Sequence, residues 1–172
     1  MGYPAEIAVA PCNAPIHFLS AHDGPWFEEA VARMSGDASL VLGLCFDSRT
    51  AAMLDVAQMA VQTLSTAGHV EPPFSEDLRL ILTELIANAH LHGNLRGMAP
   101  GDAPEWALNL GIALHVRRQG GEMTLMIANA PPITGTVWPA ERGLGLTIIE
   151  SLGGKIAHSP DLSRWTVRLS LG

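Results

Sequence analysis

The chain has 172 residues, 48% of them hydrophobic and 16% charged, which suits one domain with a single apolar core and excludes an intrinsically disordered chain. Ten Lys and Arg residues against 17 Asp and Glu residues give a net charge of −7, which argues against a nucleic-acid partner. We expect a cytoplasmic protein without a membrane partner, because no apolar run approaches a membrane span, no basic signal-peptide region is present, and two cysteines are too few for a disulfide framework.

The first predicted elements belong to an N-terminal extension, residues 1–38. A proline-containing arm is followed by a short strand at 16–19, a turn, and a short helix at 26–34. The main domain is expected to span residues 39–172.

The main domain is predicted to open with one strand and two helices. The apolar run 39–46 has the length of a strand, and Asp47 or Ser48 is a suitable N-cap for the helix that follows. Apolar residues at helical spacing mark that helix over 53–64. A second, longer helix is predicted over 75–92 and is ended by the Gly-Asn pair that follows it.

The second half of the domain is predicted to consist mainly of strands. A hairpin joins 106–118 to 122–128 across a Gln-Gly-Gly turn. A proline-rich loop leads to a glycine-led helix at 143–152 and to two final strands at 155–158 and 164–171. This order predicts an α/β fold of the α+β sandwich type, with a mixed, mainly antiparallel sheet and helices on one face.

Three polar residues recur along the longer predicted helix. Glu84, Asn88 and His92 are four residues apart, so an α-helix would place them on one face, among apolar neighbours such as Leu85 and Ile86. Polar groups on a largely buried helix cost free energy unless they meet a ligand, a metal ion or water. The alternative is an ordinary solvated helix face.

A second candidate site is the glycine-containing turn that begins at Arg142. Gly143 and Gly145 permit close backbone approach, and a helix starts immediately after them. Exposed N–H groups at a helix start form a cradle suited to phosphate, and Arg142 would add a charge-assisted contact. The alternative is a simple junction between a loop and a helix.

Together these two segments resemble the GHKL ATPase superfamily. The resemblance rests on Glu-x-x-x-Asn-Ala-x-x-His-Gly-Asn at 84–94, followed by a hairpin, a long loop and Gly-Leu-Gly-Leu at 143–146, and it covers residues 39–171. Within the superfamily the segment is most similar to the small anti-sigma-factor serine kinases. The resemblance implies a Bergerat-type ATP-binding fold with ATP and Mg²⁺ as cofactors.

The resemblance also assigns roles to individual residues. Asn88 would coordinate Mg²⁺ through its amide oxygen, and Glu84 would be the catalytic carboxylate that polarises the attacking serine hydroxyl or water. The remaining implied contacts are to ATP: His92 and Asn94 at the phosphate end, the turn Arg142, Gly143, Leu144, Gly145 and Leu146 around the phosphates, and Thr166 near the adenine.

Asn129 marks a departure from the family pattern. The family has an Asp at this position, which receives the adenine amino group, and glycines where this chain has Pro131 and Ile133. An Asn oxygen still accepts a hydrogen bond from an amine, but the uncharged amide is a weaker partner than a carboxylate. Proline also removes an N–H donor, so the floor of an adenine pocket would have a different shape.

Three functions remain open from the sequence. The first is an ATP-dependent serine kinase of the anti-sigma type, which phosphorylates or sequesters a regulatory protein such as a sigma factor or its antagonist. The second is a degenerate GHKL module that binds such a partner without nucleotide. The third is a phosphotransfer protein that receives phosphate on His90 or His92. A homodimer is compatible with each.

Overall fold

The computed structural model describes residues 14–20, 25–130 and 144–171. Within these residues six strands form one sheet with the spatial order β1-β2-β3-β4-β6-β5. Of its five strand pairs, β1–β2 is parallel and the other four are antiparallel. The α+β sandwich with a mixed, mainly antiparallel sheet is therefore confirmed. The strands are β1 (Ile16–Phe18), β2 (Leu40–Asp47), β3 (Gly111–Gln119), β4 (Glu122–Asn129), β5 (Lys155–His158) and β6 (Arg164–Ser170).

Most helices begin where a side chain or a proline favours a first turn. Asp47 accepts a hydrogen bond from Thr50 N (2.7 Å) at the start of α2, and Asp55 accepts one from Gln58 N (2.9 Å) at the start of α3. None of the described helices is both long and apolar enough to cross a membrane. The helices are α1 (Pro25–Ser35), α2 (Ser48–Met53), α3 (Val56–Thr66), α4 (Pro72–Ala87), α5 (Glu105–Leu108) and α6 (Leu144–Ser151), and a π-helix (Asn88–Asn94) continues α4.

The main hydrophobic core lies between one face of the sheet and helices α3, α4 and α6. Alternate residues of β2, β3 and β4 point into it, as period-two side-chain alternation requires. The helices contribute apolar residues at helical spacing. In α4 this apolar face continues through Leu85 to Ala89, so the start of the π-helix lies over the sheet. Core residues include Leu42, Leu44, Phe46, Ala60, Leu64, Leu78, Leu82, Leu85, Ile112, Leu114, Leu125, Ile127, Ile149 and Val167.

The opposite face of the sheet, called here the second face, is covered at one end by α1. Phe27 and Met34 of α1 pack against Cys45 and Ala113, which alternate with the core-facing residues of their strands. Gly43 allows this close approach, because a Cβ there would lie 2.8 Å from the sulfur of Met34. Among the described residues, no helix covers the second face over β4, β6 and β5.

The hairpin of β3 and β4 turns through Gly120-Gly121, with Gly120 at a φ of 59°. This left-handed conformation is typical of two-residue hairpin turns and agrees with the predicted turn. The prediction that β3 starts at Trp106 is wrong, since residues 105–108 form α5 and β3 starts at Gly111. The backbone forms local helical hydrogen bonds there instead of pairing with a neighbouring strand, since Ala107 N and Leu108 N both donate to Pro104 O.

Candidate functional site

A π-helix carries most of the residues that the sequence singled out. In this geometry a backbone N–H reaches the carbonyl five residues earlier, as Leu95 N does to His90 O (2.9 Å). Each π-turn holds one residue more than an α-turn, so Glu84 and Asn88 keep α-helical spacing but His92 does not. Glu84 and Asn88 are half-buried, whereas His92 is exposed. Of the three polar residues expected on one helix face, Glu84 and Asn88 therefore share a face, and His92 points to solvent instead.

Asn88 has an unsatisfied amide. Its Nδ2 atom is buried and has no hydrogen-bond partner in the described part of the chain. Leaving a buried polar group unpaired costs about 1–3 kcal/mol, which a bound ligand would offset. The amide nitrogen and oxygen exchange places when the side chain flips, so the same position can donate to a ligand or present an oxygen to a cation.

Glu84 lies against the start of α6. A Cβ added to Gly145 would overlap Oε2 of Glu84 and lie 3.0 Å from its Cδ, so any larger residue at this position requires the Glu84 carboxylate to move. A carboxylate at a helix N-terminus is stabilised by the helix dipole. The close approach that the sequence predicted for Gly145 is therefore made, within the structure itself, by Glu84.

Asn129 lies against the end of the π-helix. It is the last residue of β4, its side chain is 4% exposed, and its Nδ2 donates to Ala130 O (3.0 Å). A Cβ on Gly93 would come within 2.7 Å of the Cγ and Nδ2 atoms of Asn129. The segment with Glu84 and Asn88 thus meets the end of β4 on one side and the start of α6 on the other.

Asn94 anchors the π-helix to the rest of the fold. Its side chain is 1% exposed, and its Nδ2 donates to Ser48 Oγ (2.8 Å) and Leu110 O (3.0 Å). These bonds tie the end of the π-helix to α2 and to the residue before β3. The sequence offered no signal for this anchoring role, because the partners are 46 and 16 residues away.

The structure does not bring every candidate residue together. Thr166 pairs with Met126 and Ala157 on the second face, because its neighbour Val167 points into the core. It therefore lies on the other side of the sheet from Asn88. Of the glycine turn, Leu144 begins α6 and Leu146 packs against the core. The remaining predictions, at Arg142, Gly143, Pro131 and Ile133, fall outside the described residues.

The two histidines considered as phosphate acceptors have opposite environments. His90 is 5% exposed, its Nδ1 has no partner among the described residues, and burial lowers its pKa. His92 is exposed. Since a phosphate acceptor must be reached from solvent, this contrast favours His92 over His90 for that chemistry.

A polar cluster near the α1–β2 turn was not predicted from the sequence. Asp37 accepts hydrogen bonds from the backbone (2.9 Å) and hydroxyl (2.6 Å) of Ser39, and its Oδ2 lies 2.7 Å from Arg117 Nε and 3.1 Å from His115 Nε2. Burial opposes ionisation of Asp37, but these hydrogen bonds and the charges of Arg117 and His115 together lower its pKa. The Asp-x-Ser spacing was the available signal. The cluster ties α1 to β3.

The described residues contain no group of three His, Cys, Asp or Glu side chains that could hold a metal ion. A Mg²⁺ ion at Asn88 would therefore take most of its ligands from phosphate and water oxygens, as Mg²⁺ commonly does.

Comparison with protein-family models gives no match for this chain. Comparison with curated proteins likewise gives none.

Proposed function

We propose that this chain binds ATP and Mg²⁺ where α4 meets the π-helix, and that it acts in the cytoplasm as a serine kinase of the anti-sigma type. The observation that carries the proposal is the pair formed by Asn88 and Glu84. An amide with an unsatisfied buried nitrogen lies one helical turn from a half-buried carboxylate. An amide and a carboxylate at this spacing are the groups that the resemblance requires for Mg²⁺ coordination and for activation of a hydroxyl.

Each residue of the pair has a separate task in this proposal. Asn88 would hold the cation, and Glu84 would orient the serine hydroxyl of a partner protein and accept its proton. When bound, ATP would supply the transferred phosphoryl group and Mg²⁺ would neutralise its charge. Asn94 acts as a positioning residue, because its bonds to Ser48 and Leu110 fix the helix end that follows Asn88.

A second candidate function is a binding module that recognises a regulatory protein, such as a sigma factor or its antagonist, without nucleotide. Two contacts favour it. The Glu84 carboxylate occupies the space beside Gly145, so a phosphate fits there only if the Glu84 side chain or the first turn of α6 moves. Asn129 is nearly fully buried and packed against Gly93, which leaves little of its amide for an adenine. In this reading Glu84 stabilises the N-terminus of α6.

Calorimetry with ATP and Mg²⁺ separates the two functions. We expect Mg²⁺-dependent binding that Asn88→Ala abolishes and that Asn109→Ala, the same change at an exposed position, leaves intact. Glu84→Gln should retain binding but lose slow hydrolysis of ATP, because the amide accepts no proton. No heat of binding at millimolar ATP would refute the kinase proposal and leave the binding module.

A further inference from the structure

The second face of the sheet carries a row of cations that neither candidate function uses. Lys155 of β5 lies directly opposite Arg168 of β6, Arg168 lies opposite Thr124 of β4, and Thr124 lies opposite Arg117 of β3. Directly opposed residues point to the same side of a sheet. The sequence neighbour of Arg168, Val167, is buried in the main core, so this row points away from the core.

The like charges in this row lower the stability of the fold. Like charges directly opposite each other on neighbouring strands are destabilising, and Lys155 and Arg168 are such a pair. Both are exposed and have no ion pair among the described residues, and the same holds for Arg164, four residues before Arg168 on β6. Arg117, by contrast, is paired with Asp37. Only ten Lys and Arg residues occur in the whole chain, so three unpaired cations on one face form a concentrated feature.

A small cleft lies beside Arg164 at the edge of α1. It has a volume of about 180 Å³ and is lined by Trp26, Glu29 and Arg33 of α1, the end of β4, and Ser163 and Arg164. Pockets for whole small molecules generally measure about 300–1,000 Å³, so this cleft suits a single side chain. Along β6 it lies about 13 Å from the Lys155–Arg168 pair, since strands rise about 3.3 Å per residue.

We propose that the second face over β4, β6 and β5 is a docking surface for an acidic segment of a partner protein. The surface, called here the basic face, consists of Lys155, Arg164 and Arg168 together with the adjoining cleft. Carboxylates of an extended segment would pair with the Lys155–Arg168 couple and with Arg164, and one side chain would enter the cleft. Met126 and Ala157, which lie between the cationic positions on the same face, would contact its apolar residues.

Charge complementarity selects this occupant over others. The sequence segments outside the described residues contain few acids: Glu6, Asp23 and Glu141 are the only ones in 1–13, 21–24 and 131–143. Single-stranded nucleic acid would need a series of aromatic side chains on which successive bases stack. Among the described residues, Trp26 is the single aromatic one lining the cleft, and the cationic row and the row beside it are not aromatic apart from the buried His115. The net charge of −7 would also repel a long polyanion, whereas a short acidic segment contacts only the basic face.

The test uses the full chain and a fluorescein-labelled peptide of about ten alternating Glu and Ala residues, which spans the face when extended. We expect binding at low ionic strength that weakens as salt is added, and no binding of the peptide with Lys in place of Glu. Lys155→Gln/Arg168→Gln should weaken binding about tenfold, as expected when two exposed ion pairs are lost. The control Arg49→Gln/Arg79→Gln removes two positive charges from α2 and α4 and should leave binding unchanged.

Four results would overturn the proposal. They are no binding of the Glu peptide at millimolar concentration, equal losses in the two double variants, tighter binding of a labelled oligothymidine than of the peptide, and a homodimer in light scattering that Lys155→Gln/Arg168→Gln dissociates. The proposal does not rest on nucleotide binding. Asn88→Ala should bind the Glu peptide as the unchanged chain does, so failure of either proposal is recognised separately.

Discussion

The contact between Gly93 and Asn129 predicts a substitution whose effect changes sign with the background. In Gly93→Ala the new methyl group would lie 2.7 Å from Cγ and Nδ2 of Asn129 and 2.9 Å from its Oδ1, whereas comfortable contacts to carbon need about 3.5–4.0 Å. The amide cannot easily move away, because it is 4% exposed and bonded to Ala130 O. Overpacking of this kind costs about 1–3 kcal/mol.

Helix propensity opposes this overpacking cost. Alanine is favoured over glycine inside a helix by about 1 kcal/mol, and Gly93 lies within the π-helix. The single variant is therefore expected to lose between about 0 and 2 kcal/mol of stability. In an Asn129→Ala background all three crowding atoms are gone, so Gly93→Ala should increase stability by up to about 1 kcal/mol.

Denaturant unfolding of the four proteins in this double-mutant cycle measures the effect. We expect a coupling free energy of about 1–3 kcal/mol between the two positions, because the helix-propensity term cancels in the cycle. Gly101→Ala is the control: no atom lies within 4 Å of a Cβ there, so its stability should not depend on the residue at position 129. Additive effects of Gly93→Ala and Asn129→Ala would refute the proposed packing of the π-helix against β4.

The remaining predictions concern the other described contacts and two titrating groups. In Gly145→Ala the new methyl group meets the flexible end of the Glu84 side chain, and the cost of moving it is partly offset by the preference of about 1 kcal/mol for alanine over glycine within α6. Glu84→Ala removes the contact, so Gly145→Ala should be more favourable in that background than in the unchanged chain. Thermal unfolding of the single and double variants checks this, and an effect of Gly145→Ala that is the same in both backgrounds would contradict it. Burial raises the pKa of the Cys45 thiol to about 12, which leaves little of the reactive thiolate in the folded protein. In a Cys12→Ser background, a thiol reagent at about pH 8 should therefore modify Cys45 only after denaturation. Modification of the native protein would count against the burial of Cys45. Burial lowers the pKa of His90, so as the pH falls the unfolded chain binds the proton before the folded chain does. The stability should therefore fall as the pH drops below the ordinary value of 6.5, by at most about 1.4 kcal/mol per pH unit from this residue. His90→Gln should flatten that slope, and an unchanged slope would rule His90 out as its source.

The parts of the fold that alternation and capping specify were predictable from the sequence. The final strands were predicted at 155–158 and 164–171 and lie at Lys155–His158 and Arg164–Ser170, because apolar residues alternate there and turn residues separate them. Asp47 or Ser48 was predicted as the N-cap of the helix after β2, and Asp47 is the one that accepts the expected hydrogen bond, at the start of α2. Each of these elements depends on neighbours within a few residues, which a single sequence contains.

Other features required tertiary information or a closer use of alternation. No local signal distinguishes a π-helix from an α-helix, since the choice depends on Asn94 reaching Ser48 and on Gly93 reaching Asn129. The position of Thr166 was available from the sequence. Val167 and Leu169 are the apolar members of an alternating strand, so Thr166 had to point the other way.

The π-helix decides which of the candidate asparagines a ligand can reach. π-Helical turns are rare and often lie at functional sites, and this one persists because side-chain contacts at its end offset its weaker geometry. The other two asparagines are almost fully buried, and the Nδ2 of each donates within the fold. The Oδ1 of Asn94 has no partner among the described residues, but it is buried and therefore closed to a ligand. Asn88 alone of the three remains partly exposed with an unsatisfied nitrogen. Any ligand recognised by an amide of this site, whether nucleotide, cation or partner protein, must therefore be recognised at Asn88, and a ligand whose affinity is unchanged by Asn88→Ala binds elsewhere on the molecule.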